Sequence, residues 1–147
     1  MKKLLIILML FTLSCGYKPI FSKNDELILE FNKIITNGDK RINKQIFNNI
    51  NIKENLSNNR ELSLNTIYNI EETSKNSKGQ VTTYRSIIST TLIITKDNKV
   101  IKSKYFINDF SYNNKDNKYE LTKYQNEIKN NLISELSEEI ILFLKLL

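Results

Sequence analysis

The 147-residue sequence contains no histidine and no tryptophan, and it has one cysteine, one proline and three glycines. Without histidine there is no imidazole to act as a catalytic base, to complete a Ser-His-Asp or Cys-His arrangement, or to bind a metal. One cysteine forms neither an intrachain disulfide nor a cysteine-rich zinc site. Three separated glycines cannot form a GxGxxG or Walker loop. We therefore expect a protein that is not an enzyme and that holds no metal and no dissociable cofactor.

The length and composition of the chain are those of one modest globular domain. The chain has 22 Lys and Arg against 16 Asp and Glu, a formal net charge of +6, and 40% of its residues are hydrophobic. A chain of this size normally builds a single core. The basic balance allows an anionic partner.

The first fifteen residues predict the compartment. Two lysines are followed by an apolar run from Leu4 to Leu13 and then by Ser14-Cys15-Gly16. Ten helical residues span about 15 Å, half of the hydrocarbon core, so the run is too short for a stable transmembrane anchor but suits a signal peptide. A small residue before a cysteine at this place is the bacterial lipobox pattern. Residues 1–14 are thus predicted to be a lipoprotein signal peptide, with Cys15 acylated after cleavage.

Two residues near the cysteine bear on the predicted lipid anchor. Thr12 stands where the lipobox usually has leucine. The alternative is an ordinary cleaved signal, or a core helix that happens to contain Cys15. Gly16 follows the cysteine in place of the aspartate that retains lipoproteins of enteric bacteria at the inner membrane, which favours the outer membrane. Two or more acyl chains anchor far more firmly than one. We therefore expect a lipidated tether over residues 15–24 and a single domain over residues 25–147.

Hydrophobic periodicity predicts an α+β fold with two helices packed on one face of a four-stranded, mainly antiparallel sheet. Thr36 to Asp39 is expected to form a turn with an N-cap, and Lys96 to Lys99 a tight hairpin. Polar loops are expected at 71–80 and 111–118. In the last strand, Ile101, Tyr105 and Ile107 share one side. The predicted elements, in chain order, are strand Glu26–Phe31, helix Asp39–Ile50, strands Glu61–Glu71, Val81–Thr95 and Val100–Phe110, and a long helix Leu121–Leu147.

Acidic and basic side chains are the remaining candidates for a catalytic or binding site. The adjacent carboxylates Glu71-Glu72 and Glu138-Glu139 indicate solvated surface and no catalytic site. Basic residues fall into two sets that the strand order could bring to one end of the sheet: Lys75, Lys78 and Arg85, and Lys115, Lys118 and Lys123. They are either ordinary solubilising side chains or a cationic tip for anionic phosphates. Nucleic acid is not expected as the partner, because a lipidated protein outside the cytoplasm rarely meets it.

Taken together, these features resemble LptE, the family of lipopolysaccharide-assembly lipoproteins. The similarity lies in Cys15-Gly16-Tyr17-Lys18-Pro19, in the order of strands and helices, in the KGQVTTYRSIISTTLII run and in the amphipathic SEEIILFL stretch at Ser137–Leu144. The start of the mature chain resembles the alphaproteobacterial members most. The resemblance rests on the combination of these features.

This resemblance implies a function. Members of the family sit as a plug inside the LptD outer-membrane β-barrel, help to assemble it and assist the delivery of lipopolysaccharide to the outer leaflet. Family residues associated with lipopolysaccharide lie in regions where this chain has Lys75, Lys78, Lys118 and Lys123, while Ser77 and Leu121 stand at or beside the family's basic positions. A periplasm-facing lipoprotein that binds another protein or ligand, without a barrel partner, is the alternative.

Overall fold

The computed structural model describes residues 28–146, which form an α+β fold. The predictions for the signal peptide, Cys15 and the tether lie outside these residues. The described elements, in chain order, are strands β1 (Leu29–Phe31) and β2 (Lys33–Gly38), helix α1 (Lys40–Ile50), strands β3 (Ile52–Glu54), β4 (Arg60–Lys75), β5 (Val81–Lys96) and β6 (Lys99–Asn113), and helix α2 (Lys118–Lys145).

The main sheet has the strand order β2-β4-β5-β6. Strands β4, β5 and β6 form an antiparallel meander, and β2 pairs parallel to the first part of β4. Asp97 and Asn98, at φ 50° and 61°, close the β5–β6 hairpin where the sequence predicted a tight turn. The predicted fold class is therefore confirmed, with a small addition: β1 and β3 form a separate two-stranded parallel sheet.

Helix α1 begins where the sequence predicted. The Asp39 carboxylate accepts hydrogen bonds from the backbone N–H groups of Arg41 (2.9 Å) and Ile42 (3.1 Å), as an N-cap residue does. Ile42, Ile46 and Ile50 recur every fourth residue and are all buried. The four-residue spacing thus predicted both the helix and the face that packs on the sheet.

Helix α2 shows the same spacing of buried residues over a greater length. Its main buried stripe recurs every fourth residue from Ile128 to Leu144, with Ile133 and Ser137 buried beside it. Asn117 caps the first turn, where its side-chain oxygen accepts from the N–H of Tyr119 at 2.8 Å. Both helices pack on one face of the sheet. Their shared core contains Leu62 and Leu64 of β4, together with Ile88, Leu92 and Ile94 of β5, all fully buried.

The pairing predicted for the first strand is wrong. The described part of the predicted strand Glu26–Phe31 contains strand β1 (Leu29–Phe31), which pairs with β3 instead of joining the main sheet. The edge strand of the main sheet is β2, which includes Thr36 and Asn37, predicted to be a turn. Thr36 and Asn37 stay in the strand because they pair with Leu64 and Asn65 of β4, and the strand ends at Gly38 (φ +77°), where a Cβ atom would collide with the Thr66 carbonyl oxygen.

The meander strands are longer than predicted. Strand β4 runs to Lys75 and β6 to Asn113, so the polar loops expected at 71–80 and 111–118 shrink to short connections. The ends of these strands consist of polar residues because both of their faces are in contact with solvent. Such residues can pair between strands without the apolar–polar alternation by which strands are predicted. Tyr105 and Ile107 do share one side, but the buried residues of β6 are Phe106 and Tyr112 on the other.

Candidate anion-binding tip

The four predicted lysines lie at one end of the main sheet. We use the word tip for three segments: residues 75–80, which are the end of β4 and the turn after it, the linker Asn114–Asn117, and the first two turns of α2, residues 118–124. Strand β1 is at the opposite end, where the Asn32 N–H donates to the Arg60 carbonyl at the start of β4 (2.7 Å). Since β4 has 16 residues, these two ends are about 50 Å apart.

A single asparagine organises the β4–β5 turn. The Asn76 side-chain oxygen accepts from the N–H groups of Lys78 (2.9 Å) and Gln80 (3.0 Å), and its backbone carbonyl accepts from Gly79 (2.9 Å). Gly79 takes φ +78°, a conformation that glycine adopts without strain. The turn therefore holds Lys78 at a fixed, exposed place.

The second side of the tip is tied to the first by Asn114. Its N–H donates to the Thr82 carbonyl and its side-chain amide to the Val81 carbonyl, both at 2.8 Å. These bonds fix the linker between β6 and α2 against the first residues of β5. The lysines that follow in the linker and helix are consequently held beside the β4–β5 turn.

Lys115, Lys118 and Lys123 are brought together around two open clefts. A cleft of about 470 Å³ is lined by Lys115 and Lys118 with neutral groups from Asn76, Gln80 and Tyr84, and by one carboxylate, Asp116.

A smaller cleft of about 280 Å³ lies beside it and is lined by Lys115, Lys123 and Tyr124 with Glu120 and Glu127. Acidic and basic groups thus balance in the smaller cleft, whereas the larger one has an excess of ammonium groups and several amide donors.

Lys75 has a different environment. Its ammonium lies 3.0 Å from the Glu72 carboxylate, and both side chains are half exposed. Arg85, which belongs to the same predicted basic set, donates two 2.8 Å hydrogen bonds to the Asp109 carboxylate and lines neither cleft. The arginine also lowers the pKa of the Asp109 carboxyl. Of the four lysines named from the resemblance, Lys78, Lys118 and Lys123 therefore form no salt bridge within residues 28–146.

Lys115 belongs to the predicted basic sets but not to the four lysines that the resemblance names. Its ammonium lies 4.4 Å above the Tyr124 ring, a cation–π contact, and it borders both clefts. Its place in the linker grouped it with Lys118 and Lys123, but only the fold shows that it stands between them. The amides of Asn76 and Gln80 were missed because their role depends on the closed turn.

Aromatic packing makes the base of the tip rigid. Tyr112 stacks on Tyr84 at 5.8 Å and meets Tyr124 edge-on at 5.7 Å. The buried Ser86 hydroxyl lies 3.1 Å from the Tyr68 hydroxyl and 3.2 Å from that of Tyr112. Burial raises the pKa of Tyr68. This aromatic cluster is part of the core, and it underlies the segments that carry the lysines.

Metal sites and membrane-spanning helices are both absent from the part of the chain that the structure describes. Across residues 28–146 there is no group of three acidic, histidine or cysteine side chains that could hold a metal ion. No helix in the same range is long and apolar enough to cross a membrane.

Comparison with known proteins shows the fold. No protein-family model and no curated protein sequence matches the chain. Among solved structures, rare lipoprotein B from Shewanella oneidensis aligns with a TM-score of 0.59 and 12% identity, over 78% of this chain and 94% of that one. Lipoprotein B from Nitrosomonas europaea aligns with a TM-score of 0.60 and 11% identity, over 77% and 81%. A minor lipoprotein from Acinetobacter baumannii gives 0.53 and 14%, over 77% and 90%. The chain therefore has the fold of these lipoproteins.

Proposed function

We propose that this chain is an outer-membrane lipoprotein of the LptE type, anchored through an acylated Cys15. In this role it plugs and helps to assemble an LptD-type β-barrel and assists the delivery of lipopolysaccharide to the outer leaflet. It is not an enzyme. The observation that carries the proposal is the combination of a lipobox, Ser14-Cys15, with the fold shared by the lipoprotein structures above.

The length of the sheet supports a plug. The chain enters β1 at one end, and the tip lies about 50 Å away at the other. A lipid anchor at the periplasmic leaflet, joined to the β1 end, would let a domain of this length reach past a hydrocarbon core of about 30 Å. A barrel lumen is polar and water-filled. It would accept the exposed polar side chains of such a domain.

The tip supports contact with lipopolysaccharide. Lys115 and Lys118 present ammonium groups in an open cleft beside amide donors, and Lys78 and Lys123 flank it. Phosphate groups and sugar hydroxyls are the functional groups that such a surface recognises. Lys75 contributes less, because Glu72 already neutralises it.

Charge reversal tests the tip. We expect the Lys75→Glu, Lys78→Glu, Lys118→Glu, Lys123→Glu variant to bind lipopolysaccharide at least tenfold more weakly in a solution binding assay. Each substitution exchanges attraction for repulsion at an exposed site. The matched control reverses four exposed lysines outside the tip, Lys40, Lys44, Lys99 and Lys102. Equal binding by the tip variant and the wild type would show that these lysines only keep the protein soluble.

A further inference from the structure

The chain enters the domain at the end opposite the tip. We call this the anchor end and define it by strands β1 and β3, the loop 55–59 and the β5–β6 hairpin, residues 96–101. The Asn32 N–H donates to the Arg60 carbonyl, and Arg60 pairs with Lys96, so β1 and the hairpin flank the start of β4. The acylated cysteine of the proposed function is joined to the domain here.

Large apolar side chains are exposed at the anchor end. Leu56 and Val100 are among the most exposed of this type in residues 28–146, at 87% and 63%. Ile101 is 45% exposed, and Ile28, where the described chain begins, is 47% exposed. Single exposed apolar side chains are common on protein surfaces. Here four of them lie on three neighbouring segments at one end of the domain.

Hydrogen bonds hold the loop that carries Leu56. The Asn55 N–H donates to the Phe31 carbonyl at 2.8 Å, and the Asn55 side-chain oxygen accepts from the Ser57 N–H at 3.0 Å. The side-chain amide of Asn58 adds a bond to β1, also at 2.8 Å. The loop therefore keeps Leu56 pointing outward, away from the core.

The hairpin exposes its apolar pair at a bulge. Val100 pairs with Thr95 and Lys102 with Ile94, so Ile101 is an extra residue in β6. Bulges change the direction of side chains, and they are frequent at the borders of sheets and beside functional sites. Both Val100 and Ile101 are exposed directly after the two-residue turn.

A polar cleft lies between the loop and the hairpin. Its volume is about 170 Å³, and it is lined by Asn32, Asn59, Glu61, Thr95, Asp97 and Asn98. A rigid protein partner that covered both Leu56 and Val100 would also bury the carboxylates of Glu61 and Asp97, which is costly unless they are paired. A layer of lipid headgroups is hydrated and deformable. Apolar side chains can enter it on either side of the cleft while the cleft stays in water.

Basic side chains accompany the apolar ones. Lys53 precedes the loop and Lys96 begins the hairpin, and both are exposed. Neither forms a salt bridge within residues 28–146. A lysine stem lies along apolar surface while its ammonium group reaches water or a phosphate. Apolar side chains flanked by lysines are typical of surfaces that rest on phospholipid headgroups.

The covalent attachment selects lipid as the occupant of this surface. Ile28 is thirteen residues after Cys15, so the anchor end stays within about 45 Å of the acylated sulfur. Attachment makes any further contact with the same membrane intramolecular, which raises the effective concentration of lipid at this end. A few apolar side chains, which would bind a membrane only weakly in a free protein, are then enough to hold the domain against it.

We propose that the anchor end docks on the phospholipid leaflet that holds the acyl chains, with Leu56, Val100 and Ile101 inserted among the headgroups. This inference rests on the proposed function, which supplies the acylated Cys15. It goes beyond the anchor, because the folded domain itself makes a second contact with the membrane. The contact fixes which end of the domain faces the leaflet and leaves the tip free at the other end.

Two serines at opposite ends of the domain allow a matched measurement. Ser57 lies beside Leu56, and Ser77 lies in the β4–β5 turn at the tip; both are exposed. The acyl group occupies the sulfur of Cys15, so Ser57→Cys or Ser77→Cys supplies the single free thiol for a fluorophore. The acylated lipoprotein is purified from envelopes and reconstituted into vesicles of phosphatidylethanolamine and phosphatidylglycerol that contain nitroxide-labelled lipid. We expect this lipid to quench the label at position 57 at least about threefold more than at position 77, because insertion at headgroup level extends about 5–10 Å.

Charged substitutions separate docking from attachment alone. The Leu56→Glu, Val100→Glu variant should show at least about twofold less quenching at position 57, because carboxylates are unfavourable beside lipid phosphates and acyl chains. Attachment through Cys15 is unchanged in this variant. The control, Ile67→Glu, Ile107→Glu, adds the same charge at exposed positions in the middle of the sheet, and its quenching should equal that of the wild type.

Three outcomes would overturn docking. Equal quenching at positions 57 and 77, or unchanged quenching at position 57 in the Leu56→Glu, Val100→Glu variant, would do so and leave the proposed function intact. Self-quenching of the label at position 57 in vesicles without nitroxide would also do so, since a second copy of the chain would then occupy the anchor end. The intact mass of the reconstituted protein tests the premise: without an acyl group on Cys15, docking and the proposed function fail together.

Discussion

The two faces of the main sheet are built from the same strands and similar residue types, yet they have different surroundings. On the covered face, Ile88 is fully buried under the helices; on the opposite face, which we call the open face, Ile107 is 54% exposed. Alternation along a strand assigns each residue to a face, but only the packed helices decide which face becomes core. The same residue type therefore contributes very differently to stability on the two faces.

The largest expected difference between the faces comes from matched truncations. Ile88→Ala should lower the free energy of unfolding by about 2–5 kcal/mol, because it removes buried methyl groups and leaves a cavity. Ile107→Ala should cost less than about 1 kcal/mol, since its side chain is half exposed in the isolated domain. Urea unfolding of both variants measures this. Similar losses at the two sites would mean that the open face is packed even without a partner.

A second comparison uses neighbouring threonines on opposite faces. Thr90 is buried, with its hydroxyl oxygen 2.8 Å from that of Thr66, whereas Thr91 lies on the open face. Thr90→Val leaves the Thr66 hydroxyl buried without this partner and should cost about 1–3 kcal/mol. Thr91→Val should stay within about 0.5 kcal/mol. The order would be reversed if the hydroxyl pair were not part of the core, and the same unfolding measurement would show it.

Titration at alkaline pH tests the covered face. Burial raises the pKa of Tyr68 above 10.0, with its hydroxyl near Ser86. A raised pKa in the folded state adds stability that is fully present below pH 10 and is lost as the pH rises through the folded value. We expect the free energy of unfolding to fall at strongly alkaline pH, and Tyr68→Phe to reduce that fall. An unchanged alkaline profile in the variant would contradict a buried phenol.

The smallest effect is expected on the open face at acid pH. Hydrogen bonds from Arg85 lower the pKa of Asp109 below 3.8, so its contribution is present above that value and is lost as the pH falls through the folded value. Asp109→Asn should change stability little at neutral pH, because the pair is exposed. The variant should also have a shallower acid limb in its stability–pH profile. A large loss at neutral pH would show that the pair anchors the sheet.

Helices were the most predictable part of the fold. The Asp39 cap with isoleucines at every fourth position defines α1, and the long stripe defines α2, because both signals are local. Strands were predicted less well. Three-residue strands such as β1 and β3 have no periodicity to detect, and the end of β2 at Gly38 depends on the carbonyl of Thr66, 28 residues later in the chain.

The position of the candidate site could be predicted from the sequence, but the contacts of its side chains could not. Loop lengths and strand order were enough to bring the basic residues to one end of the sheet. The ion pair of Lys75 with Glu72 and the binding of Arg85 by Asp109 depend on register and side-chain direction, which the sequence does not specify. Likewise, the central position of Lys115 depends on hydrogen bonds from Asn114 to β5.

Native mass spectrometry of the chain purified from detergent-solubilised envelopes tests the central claim most directly. It measures both the partner and the covalent lipid in one experiment. The account predicts a one-to-one complex with a large outer-membrane β-barrel, in which the lipoprotein begins at an acylated Cys15. An acylated chain recovered alone would contradict the plug and favour a periplasm-facing lipoprotein with another partner. A chain without lipid on Cys15 would contradict the anchor itself.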